Sequence, residues 1–197
     1  MYSSGGSYSA NKAMLLSCVY RCVDVISDSV AQLPLEPYFI DEKGYKEKYV
    51  SHPTYYLLNR EPNRVMSRFT FIKTLIVSVL LRGNGYAYIE RDSKGNAIAL
   101  HYLDSTFVTI IDKPKLMYSV VGIKGLVEPC NMLHILNFSY DGITGISTLS
   151  HAKNTLGLAL DSESHASGFF KGGTNLAGIL TVQSTLTSKQ KEDIKTS

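Results

Sequence analysis

Apolar residues recur every three or four positions from Leu15 to Leu33 and again from Phe69 to Leu80, and beyond Gly83 they alternate. A 3.6-residue repeat buries one face of a helix, and a two-residue repeat buries one face of a sheet. A chain with this change of period builds both amphipathic helices and half-buried strands. It predicts an α+β fold with helices packed on antiparallel strands.

In the first helix Leu15, Val19, Cys22, Val23, Ile26, Val30 and Leu33 are expected to face the core, with Arg21, Asp24, Asp28 and Gln32 on the other side. Pro34 stops it, because proline has no N–H to donate and clashes with the preceding turn. Leu35 to Tyr49 reads as a hairpin around Asp41-Glu42-Lys43-Gly44. Pro53 opens a short helix through Leu58, and Glu61-Pro62-Asn63 is a rigid turn. Ser67 caps a second long helix that Gly83 ends, and its wide apolar surface makes it central to the core. Strands follow from Tyr86 to Arg91 and from Ala97 to Leu103, joined by a turn at Asp92-Ser93-Lys94-Gly95. Further strands are expected at Phe107–Ile111, Leu116–Val121 and Met132–Leu136.

After Asp141-Gly142-Ile143-Thr144-Gly145, Ser147 is the N-cap of a third helix running to Gly172-Gly173. Its apolar stripe is narrow and rich in alanine, and Lys153, Asn154, Asp161, Glu163 and Lys171 lie off it. Such a helix packs along a seam with partner helices and is not a buried core helix. Leu149, Ala152, Leu156, Ala159, Leu160 and Ala166 are the candidate subunit-interface residues. Beyond it, Gly178 to Val182 reads as a strand and Thr187-Ser188-Lys189-Gln190 as a capping box opening a polar helix. The sequence stops inside that helix, so a longer natural chain is expected. Residues 1–12 are Gly/Ser/Tyr-rich with no cationic segment before an apolar one, which predicts a flexible arm and not a signal peptide. No apolar run reaches the ~18–20 residues that a bilayer span requires, so no membrane partner is expected.

The 197 residues are 44% hydrophobic and 19% charged, enough for a folded body with a real core. A net charge of +3 is too mild to indicate nucleic acid by itself. Three irregularly spaced cysteines argue against a disulfide framework and for a reducing compartment. Cys18 and Cys22 are expected as small buried hydrophobes of the first helix. Gly83-Asn84-Gly85-Tyr86-Ala87-Tyr88 is no dinucleotide loop, since it follows a helix and opens a strand and its third glycine is replaced by tyrosine. There is no Walker loop and no Gly-x-Ser-x-Gly elbow. His52, His101, His134, His151 and His165 are scattered; on one helix the last two stand ~21 Å apart, too far to share a metal. Asp161 and Glu163, two apart on a helix, point to different faces. No catalytic residue, cofactor or metal is expected.

Several blocks in order resemble the portal proteins of HK97-type tailed phages. They are the helix from Val19 to Leu35; His52-Pro53 with Leu57-Leu58; Pro62-Asn63; and Gly83-Asn84-Gly85-Tyr86-Ala87-Tyr88-Ile89 with Arg91-Asp92 and Gly95. Phe138 to Ser147 is similar to the family's Asp-Gly-x-x-Gly-x-Ser link, and Phe169-Phe170-Lys171-Gly172-Gly173 followed by Gly178-Ile179-Leu180-Thr181 to what comes next. No one block is specific; their order and spacing over nearly the whole chain are. Thr148 departs from the pattern, where proline is expected after the serine, and the family continues well beyond Ser197.

The resemblance implies a ring of twelve copies around a DNA channel at one capsid vertex, used for packaging and ejection. It implies a flexible arm at 1–12, a wing at 13–145, a stem helix at 146–173 and the beginning of a clip at 174–197. The implied partners are other copies of the chain, double-stranded DNA held weakly and non-specifically, the terminase large subunit, the major capsid or scaffold protein, and a head–tail adaptor. The implied location is the virion, with assembly in the host cytoplasm. The sequence assigns no DNA-contacting residue. Two other readings stay open at this point: a non-enzymatic α+β adaptor that forms no channel, and an enzyme whose site leaves no motif. The alanine-rich seam favours the ring over the adaptor.

Overall fold

The computed structural model describes residues 13–171. Residues up to Leu160 belong to one compact unit and those from Asp161 onward to a second. The elements in chain order are α1 (Ser17–Gln32), β1 (Tyr38–Ile40), β2 (Lys46–Lys48), α2 (Pro53–Asn59), α3 (Arg68–Arg82), β3 (Asn84–Arg91) and β4 (Ala97–Leu103). They continue with β5 (Val108–Ile111), β6 (Met117–Val120), β7 (Leu126–Val127), β8 (Met132–Leu136), α4 (Thr148–His151) and α5 (Lys153–Lys171). This is the α+β arrangement of helices and antiparallel strands that the change of period predicts.

Ser67 caps α3 by accepting the Thr70 N–H, and Gly83 ends it in the left-handed conformation at φ +86°. The chain then reverses directly into β3, the centre of a three-stranded antiparallel sheet ordered β4-β3-β8. A second sheet is ordered β5-β6-β7, and β1 pairs with β2 alone. Phe71 and Leu75 of α3 are buried and cluster with Ala31, Leu57, Ile72, Ala87 and Leu100. A second cluster of Tyr86, Tyr118, Val120, Val127 and Met132 joins the two three-stranded sheets. The outer edge of β4 is covered: Pro62 O accepts the Leu100 N–H at 2.7 Å, and Asn63 Nδ2 donates to Leu100 O at 2.7 Å. This blunts an edge that otherwise invites another strand.

The buried face of α1 only partly matches the expected one, with Val23 buried and Val19 and Val30 half-buried. Leu16, Val23, Ser27 and Ala31 are buried, whereas Leu15, Cys22, Ile26 and Leu33 are exposed. Asp24 and Asp28, expected to face away, meet Lys73 Nζ of α3 at 2.8 and 2.6 Å. Cys18 and Cys22 are likewise exposed thiols and not buried hydrophobes. The physical reason is that α1 is apolar over more than half its circumference. Periodicity finds that arc, but α3 covers only one side of it. Arg68 fastens the helix ends together, donating to Leu58 O at 3.0 Å, Ala31 O at 3.1 Å and Leu33 O. Those carbonyls have no partner of their own inside their helices.

Two other features differ from expectation. The two-residue strand β7 is too short to leave a pattern, and the third helix is two helices. Ala152, at φ −86° and ψ 4°, interrupts the run between α4 and α5. The expected strand and helix beyond Gly172 lie outside the described residues. Among the described residues no helix is long and apolar enough to cross a membrane.

Candidate functional site

Two segments that are far apart in sequence close on each other at the end of α3. Gly83 and Gly145 touch back to back: a Cβ on Gly145 would lie 1.9 Å from Gly83 O, and one on Gly83 would lie 2.4 Å from Gly145 O. Only glycine permits that approach. Asn84 then joins the segments through its side chain. Its Nδ2 donates to Gly145 O at 3.0 Å, and its Oδ1 accepts the Gly145 N–H at 2.8 Å. The Asn84 carbonyl accepts from the hydroxyls of Ser78 at 2.8 Å and Ser105 at 2.7 Å. Every polar group of this buried residue that faces the junction is thus matched, as burial requires.

The loop from Ser139 to Ser147 is shaped for this contact. Asp141 Oδ1 accepts the N–H groups of Ile143 and Thr144, each at 2.8 Å, and the Ser139 hydroxyl at 2.9 Å. These donors hold its carboxyl below the usual carboxylate range, the Thr144 N–H contributing most. Ser147 caps α4 by accepting the Leu149 N–H at 3.1 Å while its hydroxyl donates to Leu81 O at 2.6 Å. Asn137 donates its backbone N–H to Gly83 O at 2.9 Å and its side-chain amide to Ile146 O at 3.0 Å and Thr148 Oγ1 at 2.9 Å. Thr148, at a position where proline is expected, therefore supplies an acceptor that proline lacks.

Behind Asn84 lies His134 of β8. Its ring stacks on Tyr86 at 4.4 Å and stands edge-on to Tyr118 at 5.7 Å. His134 Nε2 is 3.0 Å from Asn84 Oδ1, and Nδ1 is 3.2 Å from the Tyr118 hydroxyl. Because Oδ1 can only accept, Nε2 carries the hydrogen and Nδ1 accepts from Tyr118. Burial pushes the ring's pKa below the ordinary histidine value, so it is neutral at pH 7. Sequence reasoning passed over both Asn84 and His134. The one available signal was the strand alternation, which places His134 on the same side of β8 as the buried Met132.

The candidate interface residues divide into two groups. Leu149, Ala152 and Leu156 line an apolar groove of about 240 Å³ together with Cys18, Cys22 and Ile26 of α1 and Leu80 of α3. Ala159 and Leu160 are half-buried, and Ala166 is exposed. The first three belong to a groove that the exposed side of α1 completes. Among the described residues no group of three or more His, Cys, Asp or Glu side chains is placed to hold a metal.

The phage portal protein family model matches residues 17–197. The chain belongs to that family. It is 28% identical over 200 residues to the portal protein of Enterobacteria phage HK97, covering 98% of this chain and 47% of that protein. It is 26% identical over 202 residues to the probable portal protein of Streptomyces phage phiC31, covering 95% and 43%. The chain therefore spans about half the length of these curated relatives. An HK97 family phage portal protein crystal structure from Corynebacterium diphtheriae shares the fold, with a TM-score of 0.60 at 17% identity over 94% of this chain and 58% of that one. The neck of a native gene transfer agent particle with C12 symmetry does so with a TM-score of 0.62 at 21% identity, over 98% and 55%. Two of the blocks that resemble the family, at Gly83-Asn84-Gly85 and Asp141 to Ser147, are the two halves of the junction described above.

Proposed function

We propose that the chain is part of a portal subunit, one of a ring of copies at a capsid vertex through which DNA is packaged and ejected. The observation that carries this reading is the family match over residues 17–197. The fold relatives add support, since they include particle necks of C6 and C12 symmetry. In this reading residues 1–12 are the arm, 13–145 the wing, 146–173 the stem helix and 174–197 the beginning of the clip. The clip would meet the terminase large subunit and later the head–tail adaptor, and the wing the major capsid or scaffold protein. The protein would assemble in the host cytoplasm and remain in the virion.

Two properties of the chain suit this role. A cyclic ring of more than two copies needs two different complementary patches on every copy. The groove built from Leu149, Ala152, Leu156 and α1 offers one apolar patch. The net charge of +3 is also low. Each Lys or Arg on a phosphate adds affinity that must be broken as DNA advances, so a conducting channel favours weak, non-specific contact.

The test uses thiols already present. Full-length protein is imaged by negative-stain microscopy and labelled with a maleimide before and after ring formation. Cys18 and Cys22 should lose reactivity in the ring, and Cys130, exposed on a separate turn, is the internal control. Ile26→Asp, at a position 46% exposed in the single chain, should block rings while leaving the melting temperature of the monomer unchanged. A complete, concentrated protein that stays monomeric would favour an adaptor without a channel. Rings with fully reactive Cys18 and Cys22 would keep the portal reading and remove the groove from its interface.

A further inference from the structure

His134 lies at the centre of a hydrogen-bond chain whose direction is fixed from end to end. Tyr118 donates to Nδ1, Nε2–H donates to Asn84 Oδ1, and the same carboxamide grips both backbone polar groups of Gly145. Only one tautomer of a neutral ring satisfies every member. We propose that this chain is a proton-sensitive latch, which holds the 139–147 loop against the start of β3 while His134 is neutral and releases it when Nδ1 takes up a proton.

The geometry gives the reason. An imidazolium has two donors and no acceptor. Tyr118 would have to turn its hydroxyl round, and its own hydrogen then loses the acceptor it had. The new charge would also sit in a part-buried pocket, and among the described residues no acid is paired with the ring. On β3 the ring faces the Tyr86 stack, and on β6 it faces Tyr118. From the loop side the nearest acid in sequence is Asp141, whose Oδ1 is taken up by the loop's own donors. From α3 and the segment after β4 come Arg82 and Asp104, paired with each other at 3.1 Å. Stacking on Tyr86 recovers part of the cost but supplies no anion.

Relief lies next door. A cleft of about 550 Å³ is lined by Arg82, Asn84, Tyr86 and Thr144, so the far side of the latch is open to solvent water. Parting Asn84 from Gly145 opens the ring to that water. Burial already favours the neutral ring, and the latch therefore works on the acid side of neutrality. Since the loop carries the cap of α4, protonating one imidazole would loosen the point from which the third helix starts. This inference does not depend on the portal reading.

Amide hydrogen exchange of residues 139–147 in the full chain tests it, with rates corrected for the intrinsic effect of pH. Opening should rise by up to about tenfold per pH unit as pH falls below 6.5 toward the ring's own depressed midpoint, as one-proton linkage requires. His134→Gln keeps a donor toward Asn84 but cannot titrate, and should flatten that dependence. An equal pH dependence in wild type and His134→Gln, or none in wild type, overturns the latch. If His134→Gln does not fold, the wild-type ring is followed by NMR. A ring that titrates while the loop amides stay protected overturns the proposal equally, and coincident midpoints support it.

Discussion

The carboxamide of Asn84 matches both backbone polar groups of Gly145, sixty-one residues further along the chain, at 2.8 and 3.0 Å. A single side chain therefore fastens the end of α3 and the start of β3 to the loop that launches α4. Replacing it with alanine strands the Gly145 N–H and C=O and the His134 N–H without partners. Asn84→Ala should cost roughly 2–4 kcal/mol, read from urea unfolding with an unchanged m-value.

The glycine pair gives a sharper contrast. Gly145→Ala would force a methyl to 1.9 Å from Gly83 O, so the junction must part or the chain misfold. Gly95→Ala instead demands a left-handed residue, at φ +85°, but has nothing within 4 Å. That second change should cost only about 1–2 kcal/mol. Thermal melts of the two variants side by side should separate clearly, with Gly145→Ala by far the worse.

Lys73 stands between Asp24 and Asp28. The hydrogen bond from Lys73 is the main cause holding the Asp24 carboxyl below its ordinary pKa. A depressed acid contributes stability that is complete above its unfolded pKa and is lost as pH falls through the folded one. Melting temperature in wild type should therefore drop below about pH 4. In Lys73→Gln the drop contributed by Asp24 should shrink, and the curve near neutrality should sit lower, because two carboxylates then face each other without their cation.

Thr148→Pro tests how closely this chain follows its family. Proline is favoured at the first position of a helix, and Ser147 already has the extended conformation, φ −60° and ψ 131°, that a following proline requires. The substitution loses the bond from Asn137 to Thr148 Oγ1. The two effects oppose, and the net change should stay within about 1 kcal/mol, measured by calorimetry. A large loss would mean that Asn137 depends on that hydroxyl to hold Gly83.

The elements were legible because each leaves a local signature. Ser67 and Gly83 bound α3 as capping chemistry predicts, and the strand at Met132–Leu136 has the expected limits. The face of α1 was not legible. Its apolar arc is wider than the strip that α3 covers, and no local rule decides which part of such an arc finds a neighbour. The break at Ala152 was hidden for a related reason: alanine favours helix, and the packing of α4 onto α3 overrides that preference. The junction itself is a pairing of Gly83 and Asn84 with Gly145. Each segment stands out by its glycines, yet only the three-dimensional fold shows that the two belong together.

The start of α4 is tied to the end of α3 by several short bonds side by side: Ser147 to Leu81, Asn137 to Gly83, and Asn84 twice to Gly145. Bonds arranged in parallel share a tensile load, whereas bonds arranged in series break one after another. Tension arriving along the third helix would meet all of these together and pass into α3 and the central sheet, where Phe71 and Leu75 are buried. The junction is then a mechanical anchor, and its strength sets how much force α3 and the central sheet can take before α4 tears loose.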